Sequence, residues 1–443
     1  MNYGIAISDI DGDGQLEALV AGFGYPNLAL KWVGDRFEDV ADPVLADENR
    51  QAIGLAACDL DNDGGEEIYI LNTDTFGGAK RLGDRLFDYS GSQWVDLFSV
   101  PAYQGLANMI AGRSVACVDR FGNGRYGFFV ANYGGPMCFY ELDDDGNLRN
   151  VAAEAGVDLV TGGRSVVALP LVSERMDIFV GNEMGSNFLF RNRGDGTFEN
   201  IASLAGVSDP AENVRGIAIL DNEKQGFDLV YGNWEGPHRL FVQARPGQFE
   251  NRITPLMAVP SRVRTVIAAD FDNDGHLEVF FNNLGQANRL FGWRQERWVL
   301  LDIGEAAEPT SYGTGAAVGD FDGDGRLELL VAHGESGMQP LSLYHTVPNG
   351  NHWLRIQALT AYGAPARGAV VKIRAGERVQ KRVIDSGSGY LCQMEPVAHF
   401  GLGQTRRVEA ISVQFPDGKV VNMEGDYAAD QVIAVPHPDT RLW

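Results

Sequence analysis

A chain of 443 residues, 44% apolar and 10% aromatic, is long enough for one large core or several domains, and its 55 glycines suit a protein of many tight turns. Its 60 acidic against 36 basic residues leave a formal charge of −24, which argues against nucleic acid and anionic membrane as partners. No apolar run is long enough to span a bilayer, and four cysteines are too few and too scattered for a disulfide framework.

The chain opens on an apolar strand that runs into Asp9-Ile-Asp11-Gly-Asp13-Gly14-Gln15-Leu-Glu17. Asp9 falls where a signal peptide would need its hydrophobic region, so either the chain stays inside the cell or a leader lies ahead of it. Carboxylates at positions 1, 3, 5 and 9, with glycine at 6, make a turn whose alternate side chains aim oxygen at one centre. Ca²⁺ takes about six to eight oxygens, and the residue at position 7 offers a backbone carbonyl. The pattern recurs as Asp59-Leu-Asp61-Asn-Asp63-Gly64-Gly65-Glu-Glu67, Asp270-Phe-Asp272-Asn-Asp274-Gly275-His276-Leu-Glu278 and Asp320-Phe-Asp322-Gly-Asp324-Gly325-Arg326-Leu-Glu328. An EF-hand would need a helix next; here short apolar runs such as Leu-Leu-Val-Ala-His follow, so each loop joins two strands. One match could be an acidic turn, but four in register predict about four Ca²⁺ ions held by these carboxylates and position-7 carbonyls. Four such ions would return eight formal charges, leaving about −16, so much of the acidity is ligand.

The loops lie on a longer period: Asp9 to Asp59 is 50 residues, Asp59 to Asp119 is 60 and Asp270 to Asp320 is 50. In each unit a strand enters the loop, a second leaves it, and a third carries Leu-aromatic, as in Arg85-Leu-Phe87, Phe188-Leu-Phe190, Arg239-Leu-Phe241, Arg289-Leu-Phe291 and Ser342-Leu-Tyr344. A fourth follows, as in Arg36-Phe-Glu-Asp-Val40. Four short strands per unit is a propeller blade, and seven units are counted, four with metal.

The middle blades lose the metal pattern. Blade 3 has Phe121 where a ligand is needed, and its Gly122-Asn-Gly124-Arg-Tyr-Gly127 matches a dinucleotide fingerprint only in form, because strand follows it. Blade 4 offers no acidic loop, and blade 5, from Asp221 to Asp228, is short by one and carries Lys224, which should repel a cation. Cys58 and Cys117 could approach each other on neighbouring strands, although buried free thiols are the favoured reading for all four cysteines.

After Tyr344 the pattern changes. Pro348-Asn-Gly-Asn351 is a turn-rich linker, and about eight strand-like stretches without the 50-residue period follow. The expected fold is all-β: a seven-bladed β-propeller over residues 1–347 and a small β-sandwich over 348–443.

The loops resemble the FG-GAP or VCBS repeats of integrin-α-type propellers. The segment Gly387-Ser-Gly-Tyr390-Leu-Cys392-Gln-Met-Glu-Pro-Val-Ala-His399-Phe-Gly401-Leu-Gly403, with Pro416-Asp-Gly418, resembles the ASPIC/UnbV domain. Together, and with phrases such as Gly112-Arg-Ser-Val-Ala-Cys-Val-Asp119 and Tyr231-Gly-Asn-Trp234, they resemble the cartilage acidic protein family of animals and its bacterial relatives. The resemblance implies a calcium-binding interaction protein, extracellular or periplasmic, with no established enzymatic activity. The chain shows neither the leader nor the cysteine-rich EGF-like tail of the animal proteins, from which a microbial origin is expected.

The leading functional expectation is therefore a monomeric interaction or adhesion module with structural Ca²⁺. The rival is a propeller lyase or hydrolase working in the central channel, but the histidines, among them His238, His333, His345, His352 and His399, form no i,i+4 metal pair, and no nucleophile elbow is present. His399 is read as a hydrogen-bonded strand residue. A third class, an accessory biosynthetic protein, follows only from where UnbV-type domains occur. Arg113, Arg164, Arg215 and Arg264 precede their inner strands by one common offset, which puts four arginines around the mouth opposite the metal loops, with Trp234 beside them. Glu183, Glu235 and Glu335 at equivalent positions would staple neighbouring blades; alternatively the mouth holds an anionic group of a protein or glycan partner.

Overall fold

A computed structural model describes residues 1–222, 226–335 and 337–440. Seven antiparallel blades follow one another from Asn2–Ser8 to Ser342–Tyr344, each beginning with its innermost strand. Six of them have four strands; the seventh has three, Gly313–Gly319, Glu328–His333 and Ser342–Tyr344, one fewer than the repeat predicts. Each metal-type loop joins the first and second strands of its blade, so all four lie on one face. The first two strands of most blades are buried on both faces, which is why they read as continuous apolar runs rather than alternating ones. Gly127–Pro136 overshoots its own blade and pairs with Val160–Leu169, welding blades 3 and 4.

The ring closes without strand exchange. The Thr314 hydroxyl donates to the carbonyl of Asn2 at 2.7 Å, and a Cβ on Gly315 would stand 2.2 Å from the carbonyl oxygen of Tyr3. Glycine is needed there because two backbones touch.

Beyond His352 seven strands, not eight, form two sheets. One is Ala398–Gly403, His352–Leu359 and Gln431–Pro436, the last pair parallel; the other is Arg378–Val383, Val370–Ala375, Arg407–Gln414 and Val420–Ala428. They enclose Leu354, Ile356, Val371, Ile373, Phe400, Ile411 and Phe415.

This sandwich docks on the metal-loop face and sends one segment into the propeller. Residues 386–395 run down the central channel, bonded to the inner strands as an extra, irregular strand. Cys117 N donates to Ser386 O at 2.7 Å; Ile217 and Gly389 exchange both backbone bonds, at 2.6 and 2.8 Å; Leu55 N reaches Leu391 O at 3.3 Å; and Gln393 N reaches Ile5 O at 2.9 Å. The Gln393 amide doubles the contact by bonding both N and O of Ala57, at 2.7 and 3.0 Å. The plug is thus the segment that carries the ASPIC/UnbV resemblance. Buried ion pairs fix its base. Arg367, fully buried, bonds both oxygens of Glu66 at 2.6 and 2.9 Å, and Arg355 bridges Asp320 and Glu395. The channel that an enzymatic reading would use is filled by protein.

Cys58 and Cys117, on the inner strands of blades 2 and 3, form a disulfide, which corrects the expectation of free thiols; Cys138 and Cys392 are free and buried. Cys58 is the last residue of its inner strand and Cys117 the second to last of its own, and their Cα atoms stand 5.7 Å apart.

Candidate functional site

The four acidic loops share one geometry. The first aspartate ends the inner strand and accepts backbone N–H groups of the turn: Gly14 N to Asp9 at 2.9 Å, Asn62 N to Asp59 at 2.7 Å, Gly275 N to Asp270 at 2.9 Å and Gly325 N to Asp320 at 3.1 Å. The glutamate at position 9 starts the second strand and accepts from position 2: Ile10 N to Glu17 at 3.0 Å, Leu60 N to Glu67 at 2.5 Å, Phe271 N to Glu278 at 3.0 Å and Phe321 N to Glu328 at 2.9 Å. The position-5 aspartate bends the chain around itself, taking the N–H of Gln15, Gly65, His276 and Arg326 at 2.8–2.9 Å. Position 6 needs positive φ, +87° at Gly14 and +97° at Gly64, and glycine supplies it.

Carboxylate oxygens then converge. Asp9, Asp11 and Asp13; Asp59, Asp61 and Glu67; Asp270, Asp272 and Glu278; and Asp320, Asp322 and Asp324 each bring ligand atoms within 4.8 Å of one another. Asp59 Oδ2, Asp270 Oδ1 and Asp320 Oδ1 are buried without a hydrogen-bond partner, and Glu328 Oε1 has His345 Nδ1 beside it at 3.3 Å without a hydrogen bond between them. Burial, reinforced by neighbouring carboxylates, pushes Glu17, Asp59 and Asp270 up to about 7, Glu328 to about 8 and Glu278 to about 9. Hard oxygen donors, orphaned and crowded, fit a hard divalent cation.

Third-strand residues join these clusters, and sequence reasoning missed them. Lys31 Nζ lies 2.7–2.9 Å from Asp11, Asp13 and Glu17, and His345 Nδ1 lies 3.3 Å from Glu328 in a cluster with Asp322. Lys31 and His345 each follow a residue paired with the first position of the second strand's apolar run, so their common offset was the available signal. Arg294 reaches Asp272, Asp274 and Glu278 from two residues further along, since Gly292 holds the equivalent position in blade 6.

In blades 3 to 5 the loop persists with other partners. Asp119 is satisfied by the N–H groups of Gly122, Asn123 and Gly124 at 2.7–2.9 Å, and Arg175 bonds the carbonyl of Phe121. In blade 4, Asp177 takes the N–H groups of Leu171, Val172 and Ser173. In blade 5, Arg382 of the sandwich bonds Asp221 at 2.9 Å and Lys381 takes the carbonyls of Asn222 and Gly226. Lys224, expected to repel a cation there, lies outside the described residues.

At the opposite face Tyr3, Ile53, Arg113, Arg215, Arg264 and Thr314 are the second residues of their inner strands, and Arg164 holds the equivalent place in the longer Val160–Leu169, so the arginines occupy four consecutive blades. All four are buried. Glu183 bridges Arg164 and Arg215, and Glu335 pairs with Arg264; Glu235 pairs instead with exposed Arg262 at 2.8 Å. The inter-blade staple is therefore real for three of the arginines, while among the described residues Arg113 bonds only the carbonyls of Thr75 and Phe76. Trp234 stacks between Arg215 and Arg264, 5.4 and 4.4 Å from ring centre to guanidinium carbon, and Arg164 lies 4.4 Å from the Tyr133 ring. The tip of the plug, Tyr390, reaches this ring from below. Burial alone would raise its phenol, and the guanidinium groups of Arg164, Arg264, Arg113 and Arg215 outweigh that and lower it.

Histidines serve the scaffold. His238 accepts from Asn233 N at 3.1 Å and His399 contacts Asn273 at 2.6 Å; burial lowers the first to about 3 and the second well below its ordinary value, so both are neutral.

Fold and loops together define a seven-bladed β-propeller with acidic, metal-type loops, plugged and capped by a C-terminal β-sandwich. The FG-GAP-like repeat family matches residues 9–70, 227–281 and 270–331, and the ASPIC and UnbV family matches residues 360–442. Cartilage acidic protein 1 of Xenopus tropicalis is 47% identical over the whole of this chain and 75% of its own length, and that of Homo sapiens is 47% identical over 95% of this chain and 70% of its own. The chain belongs to the cartilage acidic protein 1 family. The expected microbial origin is not borne out, since these relatives are vertebrate. Among solved structures, the BP39L lectin from Burkholderia pseudomallei superposes with a TM-score of 0.51 at 12% identity, over 78% of this chain and 97% of the lectin. BBS1N, solved in complex with ARL6DN, superposes with a TM-score of 0.50 at 10% identity, over 75% and 90%. Both share the fold alone. No helix among the described residues is long and apolar enough to cross a membrane.

Proposed function

We propose that this protein is a calcium-stabilised interaction module, acting outside the cell or in the periplasm as a monomer. Four Ca²⁺ ions occupy the loops of blades 1, 2, 6 and 7 and serve structure rather than catalysis. Residues 1–347 present the binding face, and residues 348–443 form its base. The observation that carries the reading is the set of buried, unpartnered carboxylate oxygens in loops that a divalent cation would complete. The sandwich covers the loop face, so a protein or glycan partner is left the opposite face, around the arginine mouth. No nucleic acid or membrane insertion is involved. Capture of candidate proteins and of an arrayed glycan panel, with Ca²⁺ and with EGTA, tests it. Binding that disappears with EGTA and with substitutions at the mouth supports the module. Binding that survives both would overturn it.

A further inference from the structure

The mouth contains a cavity of about 400 Å³, within the roughly 300–1,000 Å³ common for ligand pockets, and its walls are unlike. One side carries Arg113, Arg164 and Arg264, with the single carboxylate Glu335 on Arg264, and is cationic in sum. The other, built by the blades that lack an arginine, presents Ile53 and the rings of Tyr3 and Phe23, which pack 5.3 Å apart, beside the polar side chains of Gln51 and Thr73. Tyr390 lines it from the plug. Arg215 and Trp234 lie beside the cavity and do not line it, which moves the site away from the tryptophan side.

The charges around it do not balance. Four guanidinium groups meet two carboxylates, Glu183 and Glu335. Asp74 at the rim is already held by Arg81, through its N–H at 2.9 Å and Nε at 2.7 Å. Arg113 has no carboxylate partner among the described residues, and the Nε atoms of Arg113, Arg215 and Arg264 are all buried without a hydrogen-bond acceptor, so the ring as a whole is short of acceptors and Arg113 is the cavity arginine without a carboxylate. Arg113 and Arg264 are both more than nine-tenths buried. A buried guanidinium with an open donor beside a cavity lacks an oxyanion, and the fork of donors suits carboxylate or sulfate. An inorganic ion would use only the cationic wall.

We infer that this cavity is a binding site for an acidic peptide segment: a carboxylate or sulfate oxyanion seated on Arg113 and Arg264, with an adjoining apolar or aromatic group against Tyr3, Phe23 and Ile53. The inference rests on the interaction-module reading and names the chemistry of its partner. A sulfated sugar satisfies the arginines but leaves the apolar wall uncovered.

Calorimetric titration of the calcium-loaded full chain with phenyl sulfate, inorganic sulfate and glucose 6-sulfate tests it. Phenyl sulfate should bind saturably and at least about tenfold more tightly than the other two, the order of one buried ring face against none. Arg113→Gln should abolish that binding. Gln51→Glu, which puts a carboxylate in the cavity wall and leaves every arginine in place, should weaken it at least about tenfold even if Arg113→Gln fails to fold. Absence of saturable phenyl sulfate binding overturns the inference, as does equal affinity for glucose 6-sulfate or indifference to Gln51→Glu. Calcium-dependent partner capture that persists without phenyl sulfate binding sinks this inference and leaves the module standing. Loss of capture with phenyl sulfate binding intact does the reverse.

Discussion

Blades 1, 2, 6 and 7 and blades 3, 4 and 5 carry the same strand–loop–strand unit and solve its electrostatics differently. In the first group four carboxylates crowd each loop and buried oxygens are left without partners. In the second group one aspartate survives in blades 3 and 4 and two in blade 5, few enough for backbone N–H groups and the cations Arg175, Lys381 and Arg382 to satisfy the loop, whereas Lys31 and Arg294 in the first group each face three carboxylates. The backbone shape is kept because Asp119 and Asp177 still tie the turn. What was lost is only the negative charge that required a cation. Metal dependence should therefore be uneven around the ring, heavy in the arc that contains the closing seam and absent across from it.

The largest effect expected is from chelation. Binding to the native state alone stabilises by about 2.7 kcal/mol per site at a hundredfold excess over Kd, so EGTA should lower the melting temperature by more than about 10 °C. An unchanged transition in calorimetry would contradict metal in any of the loops. Next comes Glu66→Ala, which strands fully buried Arg367 between the sandwich and blades 1 and 2. Removing one partner of a buried pair costs about 3–5 kcal/mol, and Glu66→Leu with Arg367→Met together should cost much less. Equal losses in the single and double variants, by denaturant unfolding, would mean that the pair does not hold the plug.

The repeat architecture was legible because its signals are local: an aspartate spacing, a glycine, and a Leu-aromatic pair every 50 residues or so. The plug was not. Residues 386–395 have no periodicity, and their partners are backbone groups of Ile5, Leu55, Cys117 and Ile217, scattered over half the chain. The Cys58–Cys117 bond is only half legible: the cysteines stand one and two residues ahead of the equivalent Asp59 and Asp119, which brings them near on neighbouring strands without fixing a bond. Lys31 and His345 escaped because their strand offers no acidic motif, only a position opposite the loop. The arginine mouth was predicted from register, but its division into a stapled half and an open half depends on which carboxylates reach across blades. Register alone does not fix that.

Two smaller effects sharpen the contrast. Without metal, Glu17, Asp59, Asp270, Glu328 and Glu278 hold protons up to about pH 7–9 in the folded state and release them near 4 when unfolded. The native state then binds more protons across that window, so stability in EGTA should fall as pH rises from about 5 to 8. With Ca²⁺ the same scan should lose this slope, because the ion replaces the protons; parallel curves would contradict the cages. Smallest of all, Phe121→Asp restores the 1-3-5 spacing of blade 3 but not position 9, where Gly127 stands against Tyr140 and Glu141. It should add no ion, and a gained site would show that position 9 is dispensable.

The number of bound ions and their place separate metal cages from bare acidic turns. Elemental analysis by mass spectrometry of the purified, buffer-exchanged protein should give about four calcium ions per chain, and about three in Asp322→Ala. A count near zero, or one that Asp322→Ala leaves unchanged, would contradict the account.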